Sequence, residues 1–128
     1  MVHEMKLHES PFKKIKSGKK TVELRLYDDK RRKINIGDRI LFTNQTSQEM
    51  IAVIVTELYR FESFRKLFEK IPSEKCGNTC DTSIDDLVEQ MRKYYSAEAE
   101  QKYGVLGIEI ELADLRSVML EKENRGEE

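Results

Sequence analysis

Residues 18–25 of this chain, Gly-Lys-Lys-Thr-Val-Glu-Leu-Arg, concentrate side chains that could grip a polar ligand. Polar and apolar residues alternate from residue 21 to residue 27, which predicts a half-buried strand with Glu23 and Arg25 on its polar face. A carboxylate and a guanidinium two residues apart on such a face lie roughly 7 Å from each other. They could bind a nucleobase edge or a ribose phosphate. The alternation alone, however, favours an ordinary solvated ion pair.

The polar side chains of this segment have chemistries that suit nucleic acid. Arg25 offers a planar fork of donors to a phosphate or a guanine edge, and Lys19 and Lys20 add point charges for the phosphate backbone. Glu23 can accept a hydrogen bond from an exocyclic amine or a ribose 2′-hydroxyl. The aromatic rings on which a splayed base could stack are those of Tyr27 and Tyr103. Together these residues form the predicted ligand-binding set.

Basic residues are concentrated in one third of the chain, although the net charge is only −1. Residues 6–39 contain twelve Lys and Arg but five Asp and Glu, whereas the remainder contains eleven basic and nineteen acidic residues. Such segregation can focus positive potential on one surface and attract a polyanion. The alternative is that the basic side chains spread around a helix and a loop without converging.

Length and composition predict a single cytoplasmic domain. A chain of 128 residues builds one hydrophobic core. We assign residues 1–112 to this domain and residues 113–128 to a charged tail, either a frayed helix or disordered. No apolar run approaches the roughly 20 residues of a membrane span, and the first six residues lack the design of a secretory signal. We therefore expect no membrane partner.

Neither a metal site nor a cofactor is predicted. Cys76 and Cys80 are the two cysteines, and His3 and His8 are distant from them in sequence. A zinc site would need two further ligands of the right type. A reducing compartment disfavours a disulfide between the two cysteines.

The order of predicted elements is that of a small sheet interrupted by helices. Strands are predicted at residues 3–7, 21–27, 39–43, 50–61 and 105–112. Helices are predicted to begin at Ser10-Pro11, near Phe61, at Ser83 and at Ser96. Short strands separated by helices in this way fit an α+β fold built on a small mixed barrel.

Residues 18–25 resemble the signature of the ASCH domain family, Gly-x-Lys-x-x-Glu-x-Arg. The fixed positions are filled here by Gly18, Lys20, Glu23 and Arg25. The similarity continues through Gly-Asp at residues 37–38, Met-Arg-Lys-Tyr-Tyr at residues 91–95 and Tyr-Gly-Val-Leu-Gly-Ile-Glu-Ile at residues 103–110. The similarity covers about residues 3–112. The chain resembles the small single-domain bacterial members of the family.

The resemblance implies a PUA-like fold, which is a mixed β-barrel of five or six strands with flanking helices. It also implies that the chain binds RNA, or a nucleotide derived from RNA, in a cleft lined by the signature strand. A sulfate or phosphate ion would then contact at least two of Lys20, Arg25 and Tyr103. Strict alternation opposes this site, because it places Lys20 on the other face from Glu23 and Arg25. The backbone must therefore turn or bulge after Lys20.

Hydrolysis is the alternative function. Some small members of the family resemble amidohydrolases that deacetylate acetylcytidine with a Lys, a Thr three residues later and a Glu from the helical region. Lys20 fills the first position, but Glu23 stands at the Thr position, and Thr21 follows the Lys directly. Attack by water with Glu23 as general base, as in a ribonuclease, would also be chemically feasible. A third alternative is an adaptor that docks a protein on the helical surface of residues 64–95.

Overall fold

The computed structural model describes residues 1–126 and contains one five-stranded sheet and five α-helices. The strands are β1 (Val2–Leu7), β2 (Val22–Leu26), β3 (Arg39–Asn44), β4 (Met50–Phe61) and β5 (Val105–Ala113). The helices are α1 (Glu9–Lys16), α2 (Phe64–Lys70), α3 (Ile84–Met91), α4 (Ala97–Tyr103) and α5 (Leu115–Gly126), with short 3₁₀ helices at Arg31–Lys33 and Ser73–Cys76. None of these described helices is long and apolar enough to cross a bilayer.

The sheet has the strand order β1-β3-β4-β5-β2, which leaves β1 and β2 as its two edges. β1 runs parallel to β3, and every other neighbouring pair is antiparallel. A register shift between Val55 and Glu57 interrupts the pairing of β4 with β5, and such bulges bend a sheet. The sheet curls into a half-barrel. The predicted α+β fold with a mixed barrel is confirmed, and it has five strands.

Apolar side chains cover both faces of the curled sheet. On one face, Phe12 of α1 is fully buried against strand residues such as Phe42. On the other face of β2, Phe64 of α2 packs with Val22, and Leu87 of α3 joins the same cluster. Burial on both sides explains the continuous apolar run of residues 51–55 in β4. A polar side chain that is buried in this sheet requires partners.

Helix α1 begins one residue earlier than the predicted cap. Ser10 was the expected N-cap, but the helix starts at Glu9, and the preceding His8 makes no side-chain capping hydrogen bond. Pro11 lies within the first turn, where a backbone N–H has no intrahelical partner, so its ring is tolerated there. The other two predicted serine caps are confirmed, at Ser83 of α3 and Ser96 of α4.

The described part of the charged tail differs from the frayed or disordered segment that its composition predicts. Helix α5 lies on the sheet, because Val118 is buried against Leu41 and Ala52. An exposed ion pair between Lys122 and Glu4 also joins α5 to β1. Leu115 packs against the same cluster, and so short an apolar pattern is lost among the charges in the sequence. Residues 127 and 128 lie outside the described residues, and the domain boundary at residue 112 stays a prediction.

Candidate ligand-binding cleft

A cleft of about 440 Å³ lies where the two edges of the curled sheet approach each other. β1 and β2 are not paired through their backbones. Instead, the Arg25 guanidinium of β2 donates a hydrogen bond from Nη2 to the Lys6 carbonyl oxygen of β1, at 2.9 Å. Residues from α1, α3 and the loop between α2 and α3 complete the walls. The site therefore forms at the opening of the half-barrel and depends on its curvature.

The base of the cleft holds a network of three charged side chains, Lys20, Glu23 and Arg25, which we call the triad. Lys20 Nζ lies 2.8 Å from Glu23 Oε1, and Arg25 Nε lies 2.9 Å from Glu23 Oε2. Glu23 is only 3% exposed. Each carboxylate oxygen thus has its own cation, and a buried carboxylate needs such pairing.

The backbone turn that the sequence required after Lys20 is present. β2 begins at Val22, so Lys20 belongs to the preceding turn, and its amide donates to the Lys14 carbonyl at 3.0 Å. Alternation applies only within the strand, where Glu23 and Arg25 share a face. Lys20 is free of that constraint and reaches Glu23 from outside the strand.

The triad keeps Glu23 ionised. Burial by itself would raise the pKa of this carboxyl, but Lys20 and Arg25 outweigh burial and hold the pKa below its usual range. A carboxylate with a lowered pKa and two occupied oxygens is a weak general base. Its role in this geometry is to hold a lysine and an arginine side by side at the cleft.

The loop between α2 and α3 positions Lys20. Lys14 Nζ donates to the Gly77 carbonyl at 2.9 Å, and Thr21 N donates to the Lys75 carbonyl at 2.8 Å. Gly77 has a positive φ of 89°, and a Cβ at this position would stand 3.3 Å from Cδ of Lys20. Only glycine combines this backbone conformation with so close an approach. The sequence does not single out Gly77, because one glycine in a polar loop gives no signal of its neighbours.

The cleft concentrates positive charge, as the segregation in the sequence suggested. Five basic residues and one acid, Glu23, line it; the basic residues are Lys6, Lys14, Lys20, Arg25 and Lys93. Four of the five come from the basic third of the chain. Apolar side chains such as Phe68 and Leu87 form another part of the wall. A ligand with an anionic group and a flat apolar part would match this lining.

Aromatic side chains of the segment after α3 stand at the same cleft. Tyr94 is 57% exposed, and its ring centroid lies 5.6 Å from that of His8. Tyr95 stacks on Phe64 at 5.6 Å, and burial raises the pKa of its phenol. Helix α3 ends at Met91, and both tyrosines of the following segment line the cleft. The basic-aromatic run at residues 91–95 was the available signal.

Two of the remaining predicted site residues, Lys19 and Thr21, lie outside the cleft. Lys19 is exposed and does not line it. Thr21 does not line it either, because its backbone bonds to the loop and to β5. Neither side chain is therefore placed to contact a ligand at the triad.

The two tyrosines predicted to stack on a base, Tyr27 and Tyr103, line a second depression beyond the end of β2. Arg25 therefore shares its cleft with Lys20 and not with Tyr103. The predicted contact of an anion with at least two of Lys20, Arg25 and Tyr103 stays a prediction. Of these three residues, only Lys20 and Arg25 line the same cleft and could bind one anion together.

The two cysteines differ in their surroundings. Cys76 is buried in the wall of the cleft, and burial raises the pKa of its thiol to about 11. It is therefore protonated near neutral pH and a poor nucleophile. Cys80 is exposed. Among residues 1–126, no three His, Cys, Asp or Glu side chains cluster as metal ligands.

Comparison with known proteins identifies the family. The model of the ASCH domain matches residues 5–114, which is most of the chain. No curated protein matches the sequence significantly.

Solved structures agree with the family match. The crystal structure of hypothetical protein PH0355 is 39% identical, with a TM-score of 0.78 over 88% of this chain and all of that one. The solution structure of PF0455 from Pyrococcus furiosus is 38% identical, with a TM-score of 0.71 over 89% of this chain and 99% of the other. The crystal structure of ASCH from Zymomonas mobilis shares the fold, at 19% identity and a TM-score of 0.59 over 88% of this chain and 67% of that one. The chain belongs to the ASCH domain family.

Proposed function

We propose that this protein binds RNA, or a nucleotide derived from RNA, in the cleft between β1 and β2. The ASCH family is associated with nucleic acids. The observation that carries the proposal is the triad, in which a buried Glu23 holds Lys20 and Arg25 side by side at the cleft. A preorganised lysine and arginine bind an anion better than flexible surface lysines, because less side-chain entropy is lost on binding.

The lining suits the parts of a nucleotide. Lys20 and Arg25 supply donors for a phosphate, and Lys14 and Lys93 add positive charge around them. Tyr94 is exposed at the cleft and offers a ring face to a base. A volume of about 440 Å³ falls in the range of small-ligand sites.

The geometry favours binding over hydrolysis. An amidohydrolase or ribonuclease using these residues would need a free base or an activated nucleophile. Both oxygens of Glu23 are engaged, Thr21 does not line the cleft, and the thiol of Cys76 is buried. None of these three groups is therefore placed to act as the base or the activated nucleophile.

Binding is tested by titrating uridine and adenosine monophosphates and their hexanucleotides against wild type, Arg25→Ala and Arg25→Lys. We expect Arg25→Ala to weaken binding about tenfold, which is the contribution of one charge-assisted hydrogen bond. The hexanucleotide should also lose about 0.7 from the slope of log affinity against log salt for each lost phosphate contact. Arg25→Lys keeps the charge and should recover part of the affinity.

Arg116→Ala is the matched control, since Arg116 is exposed on α5 and does not line the cleft. Circular dichroism of each variant separates loss of binding from loss of folding. Equal affinity of wild type and folded Arg25→Ala for the mononucleotides would refute the cleft as the binding site. Chromatography of the same mixtures for deacetylated or cleaved product tests the hydrolase alternative directly.

A further inference from the structure

A second basic surface lies on the same face of the sheet as Arg25. It consists of Tyr27, Arg32 and Arg60, which we call the arginine cluster. The guanidinium carbons of Arg32 and Arg60 lie 4.5 and 4.1 Å from the centroid of the Tyr27 ring. Contacts this close are cation–π interactions, which hold each guanidinium at the ring.

Strand register places Arg60 of the arginine cluster two strands away from Arg25 of the cleft. Leu106 of β5 pairs with Arg25 of β2 on one side and with Arg60 of β4 on the other. Residues directly opposite each other on neighbouring strands project from the same face. Two strand spacings separate the Cα atoms of Arg25 and Arg60 by roughly 10 Å. Tyr27 follows Arg25 by two positions and also shares its face.

The two guanidinium groups of the cluster form no ion pair in the described residues, although Glu62 lines the same depression as Arg60. Both Arg32 and Arg60 are exposed, and neither has a carboxylate oxygen within ion-pair distance among residues 1–126. Asp28 pairs with Arg31 instead, and Glu62 pairs with Lys66. Two guanidinium groups beside one ring repel each other, and an anion between or across them would relieve that repulsion.

We infer that the arginine cluster is a second phosphate-binding subsite and that the ligand of the cleft is a single-stranded RNA segment several nucleotides long. This inference rests on the proposed function of the cleft. One phosphate lies at Lys20 and Arg25, and the RNA strand continues along the edge of β2 past Tyr27 to Arg60 and Arg32. The depression beside Tyr27, which Lys102 and Tyr103 also line, has a volume of about 440 Å³ and accommodates the continuing strand.

The contacts within the cluster assign Tyr27 a different role from the base stacking that the sequence predicted. Arg32 and Arg60 both lie over its ring, so the ring supports guanidinium groups that contact phosphates. The stacking role that the sequence predicted for Tyr27 would require a base to displace one of them. We accordingly assign base stacking to Tyr94 and phosphate binding to Arg32 and Arg60, which Tyr27 supports.

The test compares chain lengths. Fluorescence-detected titrations use uridylate of one, three and six nucleotides with wild type, Arg60→Ala, Arg32→Ala and the control Arg116→Ala. Wild type should bind the hexanucleotide at least about tenfold more tightly than the monophosphate. Arg60→Ala and Arg32→Ala should each weaken hexanucleotide binding about tenfold and lower its salt slope by about 0.7, with monophosphate affinity unchanged.

The outcomes separate the two proposals. If Arg60→Ala and Arg32→Ala bind the hexanucleotide as tightly as Arg116→Ala does, the subsite is refuted and the cleft is unaffected. If wild type binds the monophosphate and the hexanucleotide equally, the extended ligand is refuted as well. Loss of monophosphate binding in Arg60→Ala would place Arg60 inside the mononucleotide site and also contradict the subsite. The proposed binding site in the cleft is tested separately, by comparing the affinities of wild type and Arg25→Ala for the monophosphate.

Discussion

The triad and the arginine cluster both contain basic side chains, yet their charges are balanced in different ways. In the triad, Glu23 pairs with two cations, and the three side chains are at most 15% exposed. In the cluster, Arg32 and Arg60 are exposed and lie against an aromatic ring, without a carboxylate partner among the described residues.

This difference in burial and pairing predicts that the triad affects both stability and ligand binding, whereas the cluster affects mainly binding. Buried charges are costly unless every partner is present, so the triad couples the fold of the cleft to its chemistry. Exposed guanidinium groups remain hydrated and change the free energy of unfolding little, so the arginines of the cluster can serve ligand binding without a role in stability. We therefore expect substitutions in the triad to change both stability and binding, and substitutions in the cluster to change mainly binding.

The largest effect is expected from Glu23→Gln. This change leaves Lys20 and Arg25 in a mostly buried site without their counter-charge, and removing one partner of a buried pair typically costs about 3 kcal/mol or more. The free energy of unfolding, measured by urea denaturation, should fall by about 3 kcal/mol. Glu62→Gln is the control, because Glu62 pairs with Lys66 at the exposed surface, and its unfolding midpoint should not change. A similar midpoint for both variants would show that the triad is not coupled to folding.

The contribution of Glu23 to the free energy of unfolding should depend on pH. The pKa of Glu23 is lowered from 4.5 in the folded state, so its stabilisation is complete above about pH 4.5 and is lost as the pH falls toward the lowered value. Wild type should lose stability below about pH 4.5 more steeply than Glu23→Gln. The free energy of unfolding is measured for both proteins between about pH 6 and pH 3, and the difference between them at each pH separates the contribution of Glu23 from that of the other carboxylates. A difference that stays constant over this range would contradict the lowered pKa.

A smaller effect is expected at Gly77. Gly77→Ala introduces a side chain at a φ of 89° and pushes against Lys20, so we expect a loss of about 1–2 kcal/mol and weaker binding of uridine monophosphate. Gly37→Ala is the matched control, because its φ is 93° and a Cβ there would contact nothing within 4 Å. It should lose about 1 kcal/mol with unchanged affinity. Equal affinities for the two variants would show that Gly77 does not position Lys20.

The smallest change in stability is expected from Tyr27→Leu. Cation–π contacts at exposed sites contribute about 0.5–1 kcal/mol each, and no charge becomes buried and unpaired. The free energy of unfolding should fall by about 1 kcal/mol, whereas hexauridylate should bind more weakly because Arg32 and Arg60 lose their support. A loss of stability as large as that of Glu23→Gln would remove the distinction between the two regions.

Local signals along the chain were sufficient to predict the five strands, the first four α-helices and the family. Alternation predicts β2, serine caps mark Ser83 and Ser96, and the four fixed signature residues are close enough together to recognise. The excess of basic residues between residues 6 and 39 also anticipated the positive cleft, since most of its lysines and Arg25 come from that segment.

Which side chains share a site depends on how the chain folds back on itself. Strict alternation separated Lys20 from Glu23, and only the turn before Val22 brings them together. The sequence predicted Tyr103 at the cleft, but it lies at the second depression, and Tyr94 is the exposed tyrosine that lines the cleft. The physical reason is that register and curvature depend on contacts between distant residues, which no local pattern in the chain records.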